Sequence, residues 1–225
     1  MIFRPILAGA VLRDRLLAGV GATFGIALTG VLAAVLAGEG SLPLLVAPIG
    51  ASAVLVFAVP ASPLAQPWPV IGGNLLSALW GLLVAQCVAT PVAAAALAVG
   101  GAIVVMSLLR CLHPPGGAVA LGVVLAAGHL PDGWLYPWLP VGLDSALLVL
   151  AGMLFHRLSR HTYPHRPAAP VPTPSPFAAA DIDAALAGMH ESFDIAREDL
   201  DALLDAAARH AALRRERSAR SSPRR

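Results

Sequence analysis

One string in this chain has both the residue types and the spacing to do chemistry: Arg110, then His113-Pro114-Pro115-Gly116-Gly117. Pro114 bars a preceding helix from running through, while Pro115 in a first helical turn sacrifices no hydrogen bond. Gly116 and Gly117 carry no side chains, so backbone N–H groups at the new helix start are expected to stay open. Bare amides at a helix N-terminus hold an anion. Arg110 is the one fixed cation beside them, and His113 is placed to donate to a ligand or carry a proton. A plainer reading stands next to this one. Arg110 would end a helix at an interface, and the rest would be a proline break with close glycine packing.

A second string offers a counterpart. Pro48-Ile49-Gly50-Ala51-Ser52 would form another proline-led helix start, with the Ser52 hydroxyl facing either a ligand or its own backbone. Asn74 lies near the next apolar segment. Asp144 falls several residues inside the last one, where a carboxylate must be protonated, paired or wet. Arg110 and His113 are both candidate partners for it. Neither a nucleophile elbow, nor a phosphate-binding glycine loop, nor paired metal-ligand spacing is present. The expectation is therefore no enzyme, no cofactor and no metal. His156, His161 and His165 sit among prolines, and Cys87 and Cys111 make no disulfide framework.

The elements that must position these residues are set by composition. Of 225 residues 57% are hydrophobic and only 12% charged, about half the charge a soluble surface needs. Between Glu39 and Asp132 the single charged residue is Arg110. Apolar segments run over about 16–38, 42–60, 71–89, 91–109, 116–130 and 138–158. Four are long enough to cross a bilayer. The second and fifth are broken by proline and leave roughly 20 Å of helix each. The expected fold is thus an all-α membrane protein with four long transmembrane helices and two shorter Pro/Gly-broken segments.

Its halves resemble each other. Pro48-Ile49-Gly50-Ala51-Ser52-Ala53-Val54 aligns with Pro115-Gly116-Gly117-Ala118-Val119-Ala120-Leu121, 67 residues later. Gly73-Asn74-Leu75-Leu76-Ser77-Ala78-Leu79 falls near Val141-Gly142-Leu143-Asp144-Ser145-Ala146-Leu147 at an offset of 68. Two matches at nearly one offset suggest an internal duplication, and paired short segments are a pointer to a binding site in transporters. With six crossings, Arg4, Arg13, Arg15, Arg110, Arg157 and Arg160 fall on the cytoplasmic side and Glu39 and Asp132 outside. That satisfies the positive-inside rule. With four crossings Arg110 moves outside. Both versions place both termini in the cytoplasm.

Residues 1–160 are read as the transmembrane domain, 161–176 as a proline-rich linker, 177–217 as an amphipathic helical tail broken near Asp194, and 218–225 as a disordered basic tail. The tail's apolar stripes need a partner, whether each other, a second subunit or the membrane surface, and its acidic faces argue against the membrane. Its arginines suit anionic lipid headgroups or solubility better than nucleic acid. Small-residue helix faces leave a homo-oligomer open.

At Leu112-His113-Pro114-Pro115-Gly116-Gly117-Ala118-Val119-Ala120-Leu121 the chain resembles the HPP family of integral membrane proteins. Ala47–Leu55, Ser62-Pro63-Leu64-Ala65-Gln66-Pro67 and Val70-Ile71-Gly72-Gly73-Asn74 are similar to that family too, over about residues 10–160. The resemblance implies a helical membrane domain usually described with four spans. It also implies transport of a small anion, since chloroplast members are assigned to nitrite. Many bacterial members continue into a pair of CBS domains, and residues 177–213 resemble the connector that precedes them. The expectations are a plasma (inner) membrane location and anion transport. The rival is a non-transporting membrane anchor or sensor whose helical tail engages a partner.

Overall fold

The computed structural model describes residues 11–37, 45–126, 133–159, 161–167 and 176–221. Arg4, Glu39, Asp132 and Arg160, on which part of the charge argument rests, lie outside them. The chain divides into two compact units, residues 1–165 and 166–225.

Among its described residues the first unit holds six α-helices: α1 (Leu12–Ala37), α2 (Pro48–Ala58), α3 (Pro67–Cys87), α4 (Pro91–Leu108), α5 (Pro114–Leu125) and α6 (Leu143–His156). A 3-10 turn at Pro63–Ala65 precedes α3, and a π-helical turn at Pro137–Gly142 leads straight into α6. Four helices, α2 to α5, open on a proline in their first turn. There the fixed φ is already helical and the missing N–H would have had no partner. Four stretches are long and apolar enough to span a membrane: Leu12–Leu36, Pro67–Cys87, Pro91–Leu108 and Gly133–His156. The short pair, Pro48–Ala58 and Pro114–Leu125, are half-length. Among the described residues there is no strand, so the chain is an all-α membrane protein, as its hydropathy predicts.

Central to this unit is α3, which packs on α4, α5, α6 and the π-helical turn, while α1 packs on α6 and α2. Half of the α3 span is buried, against 22% for α1 and for α4, whose apolar side chains face outward. Val20, Val31 and Val35 on α1, and Val92, Val104 and Leu108 on α4, are exposed in the way lipid-facing residues are. The α3–α5 seam is built from absent side chains. A Cβ added at Gly73 would sit 2.6 Å from the His113 Cβ and 2.7 Å from the Cys111 carbonyl oxygen. One added at Gly81 would sit 2.8 Å from the Ala120 carbonyl oxygen. With no hydrophobic force between helices in lipid, such close backbone approach is what holds them.

The second unit contains α7 (Ala179–Met189) and α8 (Arg197–Ser221). The Ala178 N–H donates to Asp181 at the α7 start, and His190 in the left-handed region stops it. Arg197 joins the two helices, donating to Asp183 and the Ala179 carbonyl on one side and Asp201 on the other. Helix α8 runs through Ser221, past the expected end at Arg217. Once Arg197 has anchored its start, a run rich in alanine, leucine and arginine has no breaker to end it.

Candidate functional site

Two proline effects build the site. Pro114 forces His113 into an extended conformation (φ −139°, ψ 106°), which turns its ring into the protein. The loop from Val59 to Pro69 carries Pro60, Pro63, Pro67 and Pro69, which remove the N–H groups that would answer nearby carbonyls. Side chains from elsewhere answer them. His113 Nδ1 meets the Leu64 carbonyl at 2.9 Å, where Pro67 brings no donor. His156 Nε2 meets the Val56 carbonyl at 3.0 Å, where Pro60 brings none. The Tyr163 hydroxyl donates to Ala65 at 2.9 Å, in place of Pro69. Gln66 Nε2 closes the loop on Pro60 and Ser62 at 3.0 and 2.8 Å. Tyr163, beyond the last span, has its phenol pushed up by burial, so it stays a donor.

From Leu64 the network runs inward with a fixed direction. A carbonyl only accepts, so His113 Nδ1 carries the ring proton and Nε2 offers a lone pair. Ser52 Oγ lies 2.8 Å from that Nε2 and gives it its single hydrogen. Having donated, Ser52 must accept from Asn74 Nδ2, 3.1 Å away. Ser145 donates to its own helix at the Val141 carbonyl (2.7 Å), so it too accepts from Asn74 Nδ2, at 3.1 Å. Both Asn74 N–H groups are thereby used, and its Oδ1 is left without a partner. Ser77, one turn along α3, also has an unpartnered hydroxyl oxygen. Asp144, next to Ser145, accepts from the Val46 N–H at 3.0 Å through Oδ2, while Oδ1 has no partner. Ser52, Asn74, Ser77, His113, Asp144 and Ser145 are all fully buried.

Of the residues expected to form a site, the structure thus joins Ser52, Asn74 and His113, with Asp144 adjacent. Gly116 is buried beside Ser77: a Cβ on it would meet Ser77 Oγ at 2.6 Å. Pro115 is buried, whereas Pro114 and Gly50 are exposed, and Pro48 and Gly117 are half-buried. Around Gly50 there is open space.

Two expectations need correction. The open amides at the helix starts are engaged: Gly116 N–H bonds the His113 carbonyl at 2.8 Å, and Ile49 and Gly50 bond Val46 and Ala47 at 2.9 and 3.1 Å. Pro48, Pro114 and Pro115 have no N–H at all, so the prolines that shape these starts also empty them of donors. Arg110 stands apart from the cluster. It is exposed, in the left-handed region at φ 55°, with its N–H on Ser107 (3.2 Å) and the next N–H, of Cys111, on Met106 (2.9 Å). This is the Schellman stop of α4 with arginine in the place glycine usually takes. Neither Arg110 nor His113 is bonded to Asp144.

Ser145, Ser77 and the Leu64 carbonyl were not expected in the site. Ser77 and Ser145 were visible only as matched positions of the two aligned stretches, and the Leu64 carbonyl only as one facing Pro67.

Bundle and buried network together define a multi-pass, all-α membrane protein with a polar interior. The chain belongs to the HPP family: the model of the HPP transmembrane region matches residues 8–164. It is similar to two transmembrane proteins of Dictyostelium discoideum, one 39% identical over 114 residues, 49% of this chain and 37% of that protein. The other is 34% identical over 131 residues, 56% of this chain and 46% of that protein. The chain spans less than half the length of these relatives. No solved structure matches it.

Proposed function

We propose that this protein is a transporter, not an enzyme, and that it moves a small monovalent inorganic anion, nitrite-like, together with a proton. The observation that carries the reading is the buried, hydrogen-bonded cluster of Ser52, Asn74, His113 and Ser145, drawn from α2, α3, α6 and the residue that caps α5. Polar groups at membrane depth are costly and mark a path or site. The cluster's spare capacity is for accepting hydrogen at Asn74 Oδ1, joined by the neighbouring Asp144 Oδ1 when that carboxyl is ionised. The N–H and O–H groups of the cluster itself are all spent, and the unpartnered hydroxyl beside it is that of Ser77. An anion that arrives with a proton, or as its conjugate acid, brings the hydrogen these atoms lack. Arg110, exposed at the end of α4, would draw the anion toward the bundle from outside the cluster.

The proposal carries the two-half reading with it, α2 and α5 being the counterpart short helices. It also places the protein in the plasma membrane with both termini cytoplasmic. A homo-oligomer would be compatible with it. The test is nitrite uptake into proteoliposomes with and without an inward proton gradient. Uptake should need the gradient, and Asn74→Ala should reduce it at least about tenfold, the effect of losing roughly 1.4 kcal/mol at the site. Absence of flux from folded protein, whatever the gradient, removes the reading.

One observation favours the anchor reading: in the second unit Met189, Phe193, Leu203 and Leu213 are exposed apolar residues suited to a partner. Removing residues 177–225 separates the two. Uptake persists if the bundle transports, and the cellular phenotype disappears if the tail is the working part.

A further inference from the structure

The network's directions expose a second arrangement that the same atoms can adopt. In the present one Ser52 spends its hydrogen on His113 Nε2. A different acceptor waits on its own helix, the Pro48 carbonyl, 3.4 Å from Ser52 Oγ. Because residue 52 is the i+4 partner of Pro48, this is the ordinary back-bond of a helical serine, slightly stretched.

We infer that His113 is the group that takes the transported proton, and that the Ser52 hydroxyl is the switch that registers it. A proton adds to the Nε2 lone pair, and the new Nε2–H donates to Ser52 Oγ. The Ser52 hydrogen leaves the ring and turns to the Pro48 carbonyl. Ser52 Oγ then accepts two hydrogen bonds, from His113 and from Asn74, which uses its two lone pairs. His113 Nδ1–H stays on Leu64 throughout. Every donor has an acceptor before and after, so the ring can gain a charge without leaving a buried N–H or O–H unmatched. What changes is the link between α2 and α5. The hydrogen bond that joins them reverses direction, becomes charge-assisted, and shortens the Ser52–Pro48 bond at the start of α2.

The surroundings leave this task to His113. Elements packed around the ring, α2, α3 and the Val59–Gln66 loop, bring no ionisable side chain except Cys87 at the far end of α3, which is exposed. On its own approach to α5 lie the buried Cys111 and the exposed Arg110. Asp144 on α6 lies beyond Asn74 and Ser145, and its Oδ2 accepts from the Val46 N–H.

The inference rests on the proton-linked reading above, yet it can be tested without transport. Protein labelled with ¹⁵N-histidine is placed in lipid nanodiscs, His113 is assigned by its loss in His113→Gln, and its ring nitrogens are followed from about pH 8 to about pH 3. The expected result is the Nδ1–H tautomer at the alkaline end and a doubly protonated ring at the acid end. In Ser52→Ala the transition should move by about one pH unit, the size of one charge-assisted partner lost. In Ser77→Ala, where the buried hydroxyl bonds nothing, it should stay put. An Nε2–H tautomer, a ring that never takes the second proton, or a transition indifferent to Ser52 would overturn the inference. A switching ring in protein that carries no nitrite removes the transport reading and leaves the switch standing. Gradient-driven uptake with a silent ring does the reverse.

Discussion

At the scale of single residues, Arg110 and Asn74 exchange the roles their types suggest. Arginine is the charge, and the sequence pointed to it as the anion site, but the backbone uses it to stop a helix. Its left-handed φ costs a residue with a Cβ roughly 1–2 kcal/mol, offset by a positive charge at the C-terminal end of α4. Asn74 is neutral, and its two N–H groups hold α2 and α6 to α3. Arg110→Gly separates the two roles better than Arg110→Ala, because glycine relieves the backbone while removing the charge. The expected outcome is a thermal midpoint in detergent that is unchanged or a few degrees higher, with slower uptake at low nitrite if the guanidinium gathers the anion. Unchanged uptake would confine Arg110 to ending its helix.

At the scale of elements, the seam between α3 and α5 sets how far the site can deform. Gly73 faces the Cβ of His113 and the backbone carbonyl of Cys111, neither of which can swing aside. Gly73→Ala should therefore push α5 off α3 and cost about 1–3 kcal/mol, the usual penalty for overpacking. Gly50, in the matching short helix, meets nothing within 4 Å. Gly50→Ala should be neutral or stabilise by up to about 1 kcal/mol through helix propensity. Chemical or thermal unfolding of the two variants checks both signs. Equal effects would mean that the close contact at Gly73 is not what holds these helices. The proline loop is organised differently. It keeps its shape because His113, His156, Tyr163 and Gln66 supply the donors its prolines removed. Hence the histidine of the site also serves as a fastener of the loop.

At the scale of the whole molecule, the path of the two short helices relative to the bilayer decides which residues share a side. Eleven and twelve residues give roughly 17 Å of helix, about half the hydrocarbon thickness. If both cross, with neighbouring protein covering their ends, residues 13 and 110 lie on one side. If both turn back, the two residues lie on opposite sides. Single cysteines at those positions, in a chain whose Cys87 and Cys111 have been replaced, can be labelled by an impermeant maleimide from one face of sealed vesicles. Six crossings predict that Arg13→Cys and Arg110→Cys react from the same face, while reaction from opposite faces would require four.

What the sequence determined by itself follows from local physics. Runs of apolar residues long enough for hydrocarbon made the spans, and prolines marked where α2 to α5 begin. Pro114 sets the conformation of His113 whatever the rest of the chain does. Ser52, His113, Asn74 and Asp144 were also legible, because a polar side chain in an apolar run has few other reasons to be there. The network's partners were not legible. Ser145 joins Asn74 across 71 residues of sequence and the Leu64 carbonyl joins His113 across 49, and no local pattern encodes either pairing. The open amides failed for a related reason. A proline-led helix start looks like an anion cradle from composition, but the turn it makes bonds its few remaining N–H groups to the carbonyls just before it. Only the tertiary structure decided which donors were already spent, because hydrogen-bond satisfaction belongs to the packed neighbourhood and not to any one segment.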